Sequence, residues 1–167
     1  MSRGGQRNLG VCVEDTLVGA NACRWTVENI YREGDVLHLM YVIKSLKPPM
    51  EVFHQLPGTS FSFSQPGTHH EEEKIRAAKR AIEKRFIPIL ERGGSPIPYQ
   101  LHLFAEKHDA GPEAIGKDLV KCAEGIPCDI VVLTSHQDGD KVDRFEGNVT
   151  KVNEYVSKNC SKTICIV

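Results

Sequence analysis

Between Thr134 and Val149 the chain reads TSHQDGDKVDRFEGNV. This stretch follows the apolar run Ile130-Val131-Val132-Leu133 and leads into residues that repeat with helical period, so strand, loop and helix start come in succession. That succession holds anions in many α/β proteins, because the first N–H groups of a helix have no partner within it and lie at the positive end of its dipole. Glycines normally let such a loop wrap a phosphate closely. Here Thr134 and Gln137 stand near the beginning, Gly139 in the middle and Gly147 only at the end. Gly147, Asn148 and Val149 form a helix start suited to one anion. Asn148 is equally suited to cap the helix, and both uses employ the same N–H groups. His136 offers a ring nitrogen to a phosphate. Asp138, Asp140, Asp143 and Glu146 outweigh Lys141 and Arg144, which is unfavourable beside a triphosphate unless Mg²⁺ intervenes.

Other chemistry-bearing clusters are weaker. Neither G-x-x-x-x-G-K-[ST] nor G-x-G-x-x-G occurs, which argues against a Walker-type or dinucleotide-binding enzyme. Ser135 and His136 are neighbours without a third partner, so no triad is suggested. His69-His70-Glu71-Glu72-Glu73 reads as a charged helix start, since adjacent residues on a helix point apart and make a poor metal cluster. Glu14-Asp15-Thr16 follows a short apolar run. Asp15 or Thr16 suits a helix cap, whereas Glu14 is placed to accept hydrogen bonds from a ribose or an adenine amine. The six cysteines form no C-x-x-C pair and read as reduced, packed residues.

The elements that must position these residues follow from the pattern of apolar positions. LGVCV (9–13), VLHLMYVI (36–43), YQLHLFAE (99–106), DIVVLTS (129–135) and TICIV (163–167) read as strands, mostly buried and parallel. Between them Cys23, Val27, Ile30 and Tyr31 share one helical face, as do Ile75, Ala78, Ile82, Phe86 and Ile89. Trp25 reads as core or cover. Pro88 is expected to kink or end the second helix, with Gly93-Gly94 stopping it. A third helix is expected from Pro112, burying Ile115, Leu119 and Cys122 or Ala123, and a fourth from about Phe145, burying Val149, Val152 and Val156. Alternating strands and helices predict a doubly wound α/β domain spanning 1–167, with a parallel sheet covered on both faces. The stretch 44–70 is rich in Pro, Gly and Ser, and is too long for an ordinary connection.

Composition narrows the function classes. With 21 Lys and Arg against 22 Asp and Glu the net charge is −1, so bulk binding to nucleic acid or an anionic membrane is not expected. No apolar run approaches the ~20 residues of a membrane span. MSRGGQRN lacks the apolar stretch of a signal peptide, and a cytoplasmic location is expected.

Taken together, several of these pieces resemble the universal stress protein family. VCVEDTLVGANACRWTV resembles the family's first strand, acidic residue and A-x-x-W helix, with Glu14 where Asp is usual, and with Ala22 and Trp25 in the other two places. GKDLVKCAEGIPCDIVVLTSH (116–136) resembles the third helix and fourth strand, and the end after NEYVSKNCSKT resembles the family's short loop and last strand. The resemblance covers essentially the whole chain, with 44–70 as an enlarged variable region. It implies a five-stranded parallel sheet in order 3-2-1-4-5 with about four helices, of the adenine nucleotide alpha hydrolase-like kind. It implies a stress-response or signalling module rather than an enzyme, homodimers through the strand 163–167, and either ATP binding or its absence. The binders carry G-x-x-G-x9-G-[ST]. Laid on that spacing without a gap, the glycines fall on Thr134, Gln137 and Gly147, and the hydroxyl residue falls on Asn148. The resemblance also implies that Glu14 faces an adenosine, that the backbone of Val42 meets the adenine and that Leu133 lines the pocket. The expectation is weak binding of AMP or ATP, with Mg²⁺ only if ATP binds. The alternative is a nucleotide-free, chaperone-like interaction protein.

Overall fold

The computed structural model describes residues 5–13, 17–43, 51–54, 69–91, 95–105, 111–135 and 148–167. In chain order the elements are β1 (Asn8–Val13), α1 (Leu17–Asn29), β2 (Val36–Ile43), β3 (Glu51–His54), α2 (His69–Leu90), β4 (Tyr99–Ala105), α3 (Pro112–Gly125), β5 (Ile130–Leu133), α4 (Asn148–Asn159) and β6 (Thr163–Ile166). The sheet runs β3-β4-β2-β1-β5-β6. Its five parallel strands therefore stand in the order 3-2-1-4-5, as expected, with four helices.

One strand was not anticipated. Glu51–His54, inside the Pro/Gly/Ser-rich insert, pairs antiparallel with β4, Glu51 opposite Phe104 and His54 opposite Leu101. Four residues flanked by turn-forming sequence carry almost no periodic signal. The strand covers what would otherwise be the open edge of β4, a common remedy for unpaired edges.

Two apolar layers fix the faces of the sheet. Leu9, Val11, Leu37, Leu39, Leu101, Leu103 and Val132 form one cluster with Cys23 of α1 and Ile75, Ala78, Ile82, Phe86 and Ile89 of α2. Met40, Phe104, Val131 and Leu133 form the other with Ile115, Leu119, Cys122 and Ala123 of α3 and Val152 and Val156 of α4. Odd and even strand positions thus separate onto opposite sides, as the pleat demands. The apolar faces expected for α1, α2 and α3 are the ones buried. α3 buries both Cys122 and Ala123. Trp25 keeps 37% of its surface exposed, so it covers rather than fills the core.

Helix ends show where local chemistry decides. α2 runs past Pro88 to Leu90. A proline in the last turn removes only one N–H, and Phe86, Ile89 and Leu90, all buried, hold that turn against the sheet. α1 hands over to β2 through Gly34, whose φ of +96° favours a residue without Cβ. α3 starts at Pro112 as expected. α4 is described from Asn148; the expected start near Phe145 and the side chain of Val149 lie outside the described residues.

The two layers contain few polar groups. His38 of β2 and His102 of β4 are each 4% exposed, with Nδ1 of His38 3.0 Å from Nε2 of His102 and Nε2 of His38 3.0 Å from Oδ1 of Asn8. At the strand starts Arg7 clasps Asp35: its Nε lies 3.1 Å from Oδ1, a second N–H meets Oδ2, and the same arm donates to the Ile30 carbonyl at 2.9 Å. All six cysteines are free thiols, with Cys23, Cys122 and Cys128 buried. Among the described residues no helix is long and apolar enough to cross a membrane.

Candidate functional site at the strand-order switch

The strand order places the site. β1 leads through α1 to its neighbour β2, whereas β4 leads through α3 across the sheet to β5, on the other side of β1. The order reverses between β1 and β5, and in doubly wound sheets a crevice opens there beyond the carboxyl ends of the strands. Val13 ends β1 and Leu133 ends β5, so both strands end just before the stretches that the sequence singled out.

The start of the 134–149 loop is built differently from a turning glycine. Val167 N–H donates to the Leu133 carbonyl at 3.0 Å, and Ser135 N–H donates to the Val167 main-chain oxygen at 2.6 Å. This continues the parallel β5–β6 ladder, in which Leu133 already pairs with Ile166, through Thr134. A β-branched residue suits such an extended position. Thr134 is 5% exposed. At the first of the three glycine positions, then, the strand goes on instead of turning. Two side chains lock it: Ser135 Oγ donates to the Val167 main-chain oxygen at 3.0 Å, and Asn153 Nδ2, from α4, donates to the Thr134 carbonyl at 2.9 Å.

Of the nine residues expected around a ligand, three are fully described. Val42 is half-buried at the end of β2, Leu133 is 1% exposed among Leu119, Val152 and Val156, and Thr134 extends β5 as above. Asn148 and Val149 open α4, and their side chains lie outside the described residues, as do Glu14, His136, Gln137 and Gly147 altogether. Val42 and Thr134 are brought to the same end of the sheet, on strands flanking β1. Asn153 was missed by the sequence reading. Its signal is a helix-interior Asn, a poor helix former, on the turn between the buried Val152 and Val156. Among the described residues no group of three or more His, Cys, Asp or Glu could hold a metal ion.

A separate groove of about 730 Å³ runs between the start of α3 and the outer side of α4. Glu113 and Glu154 face it together with Lys151 and Lys158. Its charge is balanced, and its lining includes none of the residues at the switch point.

No family model matches the chain, and no curated protein matches it in sequence. Solved structures do match its fold over nearly the whole length. Universal stress protein UspA from Lactobacillus plantarum matches with a TM-score of 0.60 at 14% identity, covering 99% of each chain. A universal stress protein from Archaeoglobus fulgidus matches with a TM-score of 0.57 at 16% identity, covering 97% of this chain and 93% of that one. A universal stress protein solved in complex with cAMP matches with a TM-score of 0.51 at 12% identity, covering 98% of each. The fold is that of universal stress protein structures.

Proposed function

We propose that the chain is a universal stress-type stress-response or signalling module that binds an adenine nucleotide weakly at the β1–β5 switch point. The strand-order reversal there is the observation that carries the reading. The neighbour held with cAMP supports the ligand class. Glu14, Val42, Leu133, Thr134, His136, Gln137, Gly147, Asn148 and Val149 would surround the ligand, AMP or ATP, with Mg²⁺ only beside ATP. The module is read as binding rather than catalysing: Ser135 and Asn153 are engaged in donating to main-chain oxygens, of Val167 and Thr134. Mass spectrometry of the gently purified protein should find a retained adenine nucleotide, and calorimetry should show AMP binding. A protein that carries none and takes up neither AMP nor ATP-Mg refutes the reading.

The alternative reading is a nucleotide-free homodimeric interaction protein with a chaperone-like role, and one observation bears on the homodimer that both readings include. β6 pairs only with β5 among the described strands, and Ile166 on it is 50% exposed. An apolar edge strand of this kind invites a second copy. Sedimentation of the wild type and of Ile166→Lys separates the cases: a dimer that the substitution dissociates supports pairing through β6, and a monomeric wild type removes it.

A further inference from the structure

The two sides of α2 meet different surroundings. Ile75, Ala78, Ile82, Phe86 and Ile89 are buried against the sheet. On the opposite side Arg76, Arg80 and Lys84 are exposed. They stand four residues apart, so three cations line one face over about 12 Å. Like charges at this spacing repel and oppose the helix that carries them. A face that meets only water is better served by alternating signs. Glu72, Glu73 and Glu83 are the nearest carboxylates on the helix, yet among the described residues none of the three cations has a hydrogen bond or an ion pair. The row is also bounded. Glu73 is exposed just before Arg76, and Glu91, whose N–H donates to the Ile87 carbonyl at 2.9 Å, is exposed beyond the last turn.

We propose that this outer face of α2 docks an acidic helix of a protein partner, with Arg76, Arg80 and Lys84 each meeting a carboxylate that recurs at the same four-residue spacing. Carboxylates there would relieve the repulsion along the row. An Arg guanidinium meets a carboxylate through two parallel N–H bonds, so two of the three contacts fix orientation as well as charge. The length of the row selects the kind of partner. A nucleic-acid backbone running past it would meet Glu73 or Glu91, and the chain's net charge of −1 gives a polyanion no long-range attraction. Membrane binding by a surface helix needs an apolar face to insert, and that of α2 lies in the core. A short acidic helix covers the row and ends with it. This docking does not depend on a bound nucleotide.

The test is fluorescence anisotropy of the full chain at low salt with two labelled, alanine-based helical peptides, one carrying Glu at every fourth position and the other Gln in its place. The wild type should bind the Glu peptide about tenfold more tightly than the Gln peptide, a difference that added salt removes. Arg76→Gln with Arg80→Gln and Lys84→Gln should bring the two peptides level. Lys151→Gln with Lys158→Gln, exposed on α4, should leave the difference intact. The α2 variant should melt no lower than the wild type, since it loses only repulsion; a lower melting temperature would mean that the cations hold the fold, and overturns the assignment. Equal binding of the two peptides by the wild type overturns it without any variant. So does a difference that survives in the α2 variant or vanishes in the α4 variant. A short oligothymidylate that binds more tightly than the Glu peptide overturns it in favour of nucleic acid.

Discussion

Nδ1 of His38 lies 3.0 Å from Nε2 of His102 within the sheet, and the bond has a direction. Asn8 Nδ2 donates to the Pro127 carbonyl at 3.2 Å, which turns Oδ1 of Asn8 toward Nε2 of His38 at 3.0 Å. Nε2 of His38 must therefore carry its proton, Nδ1 of His38 is the acceptor, and His102 donates from Nε2. Both rings are neutral Nε2–H tautomers, a state that nitrogen chemical shifts report directly. Burial pushes both histidines down to about 4, and the neighbouring His38 adds to the effect on His102. A folded value below the ordinary one means that the unfolded chain binds more protons. Stability is then fully present above the ordinary histidine value of about 6.5 and is lost as pH falls from there toward 4. Unfolding free energies from denaturant melts at pH 7.5 and 4.5 should differ by roughly 2–3 kcal/mol for one such histidine. His38→Gln with His102→Gln should flatten that slope, and an unchanged slope in the double variant rules the pair out as its source.

Asp35 shows the opposite balance. Burial alone would raise its carboxyl, but the hydrogen bonds from the Arg7 guanidinium and the Arg32 N–H outweigh that and hold it below the usual carboxylate value. Its contribution is present above the ordinary carboxylate range and disappears as pH falls below it. Asp35→Ala should cost about 2–3 kcal/mol, because Arg7 and the Arg32 N–H lose their acceptor together. Asp35→Asn, which keeps an acceptor for the Arg32 N–H, should cost less. Equal losses in urea melts would show that the charge, not the hydrogen bond, dominates.

Helix packing on the other face depends on one missing methyl group. A Cβ on Gly116 of α3 would stand 2.8 Å from Tyr155 Cδ1 and 3.0 Å from Tyr155 Cβ and Cγ of α4. The near atoms include the root of the ring side chain, so a rotamer change cannot clear them. Gly116→Ala should destabilise by about 1–3 kcal/mol despite its better helix propensity, lowering Tm by several degrees. Adding Tyr155→Ala should restore part of the loss in a double-mutant cycle. Simple additivity would mean that the two helices do not touch there.

Legibility in the sequence follows burial and repetition. The five parallel strands were readable because each is a short apolar run, and the faces of α1, α2 and α3 because Cys23, Ile82, Leu119 and their neighbours recur at helical spacing. β3 was not readable: Glu51–His54 is four residues of an irregular insert, and its pairing with β4 is a tertiary event. At the site, Thr134 was legible as an anomaly in a glycine position, but its continuation of the β5–β6 ladder depends on Val167, far along the chain. Asn153 escaped because its bond to the Thr134 carbonyl links a helix to a strand end that sequence spacing does not relate.

Thr134 also yields the sharpest test of the loop. Thr134 extends the ladder and is 5% exposed, so the chain is still extended and held at this position. Gln137, whose placement lies outside the described residues, adds a side chain at the second glycine position of the spacing. Thr134→Gly with Gln137→Gly should free the backbone to turn toward a phosphate and raise ATP-Mg affinity by at least about tenfold in calorimetry, equivalent to 1.4 kcal/mol. AMP, with one phosphate, should gain less, and adenosine nothing. The single change Thr134→Gly should also lower stability by about 0.5–1 kcal/mol, because an extended, laddered position gains backbone entropy in the unfolded state. If ATP affinity stays level while stability falls, Thr134 is a strand residue that happens to occupy a glycine position, and the acidic run Asp138, Asp140, Asp143 and Glu146 becomes the feature that limits triphosphate binding.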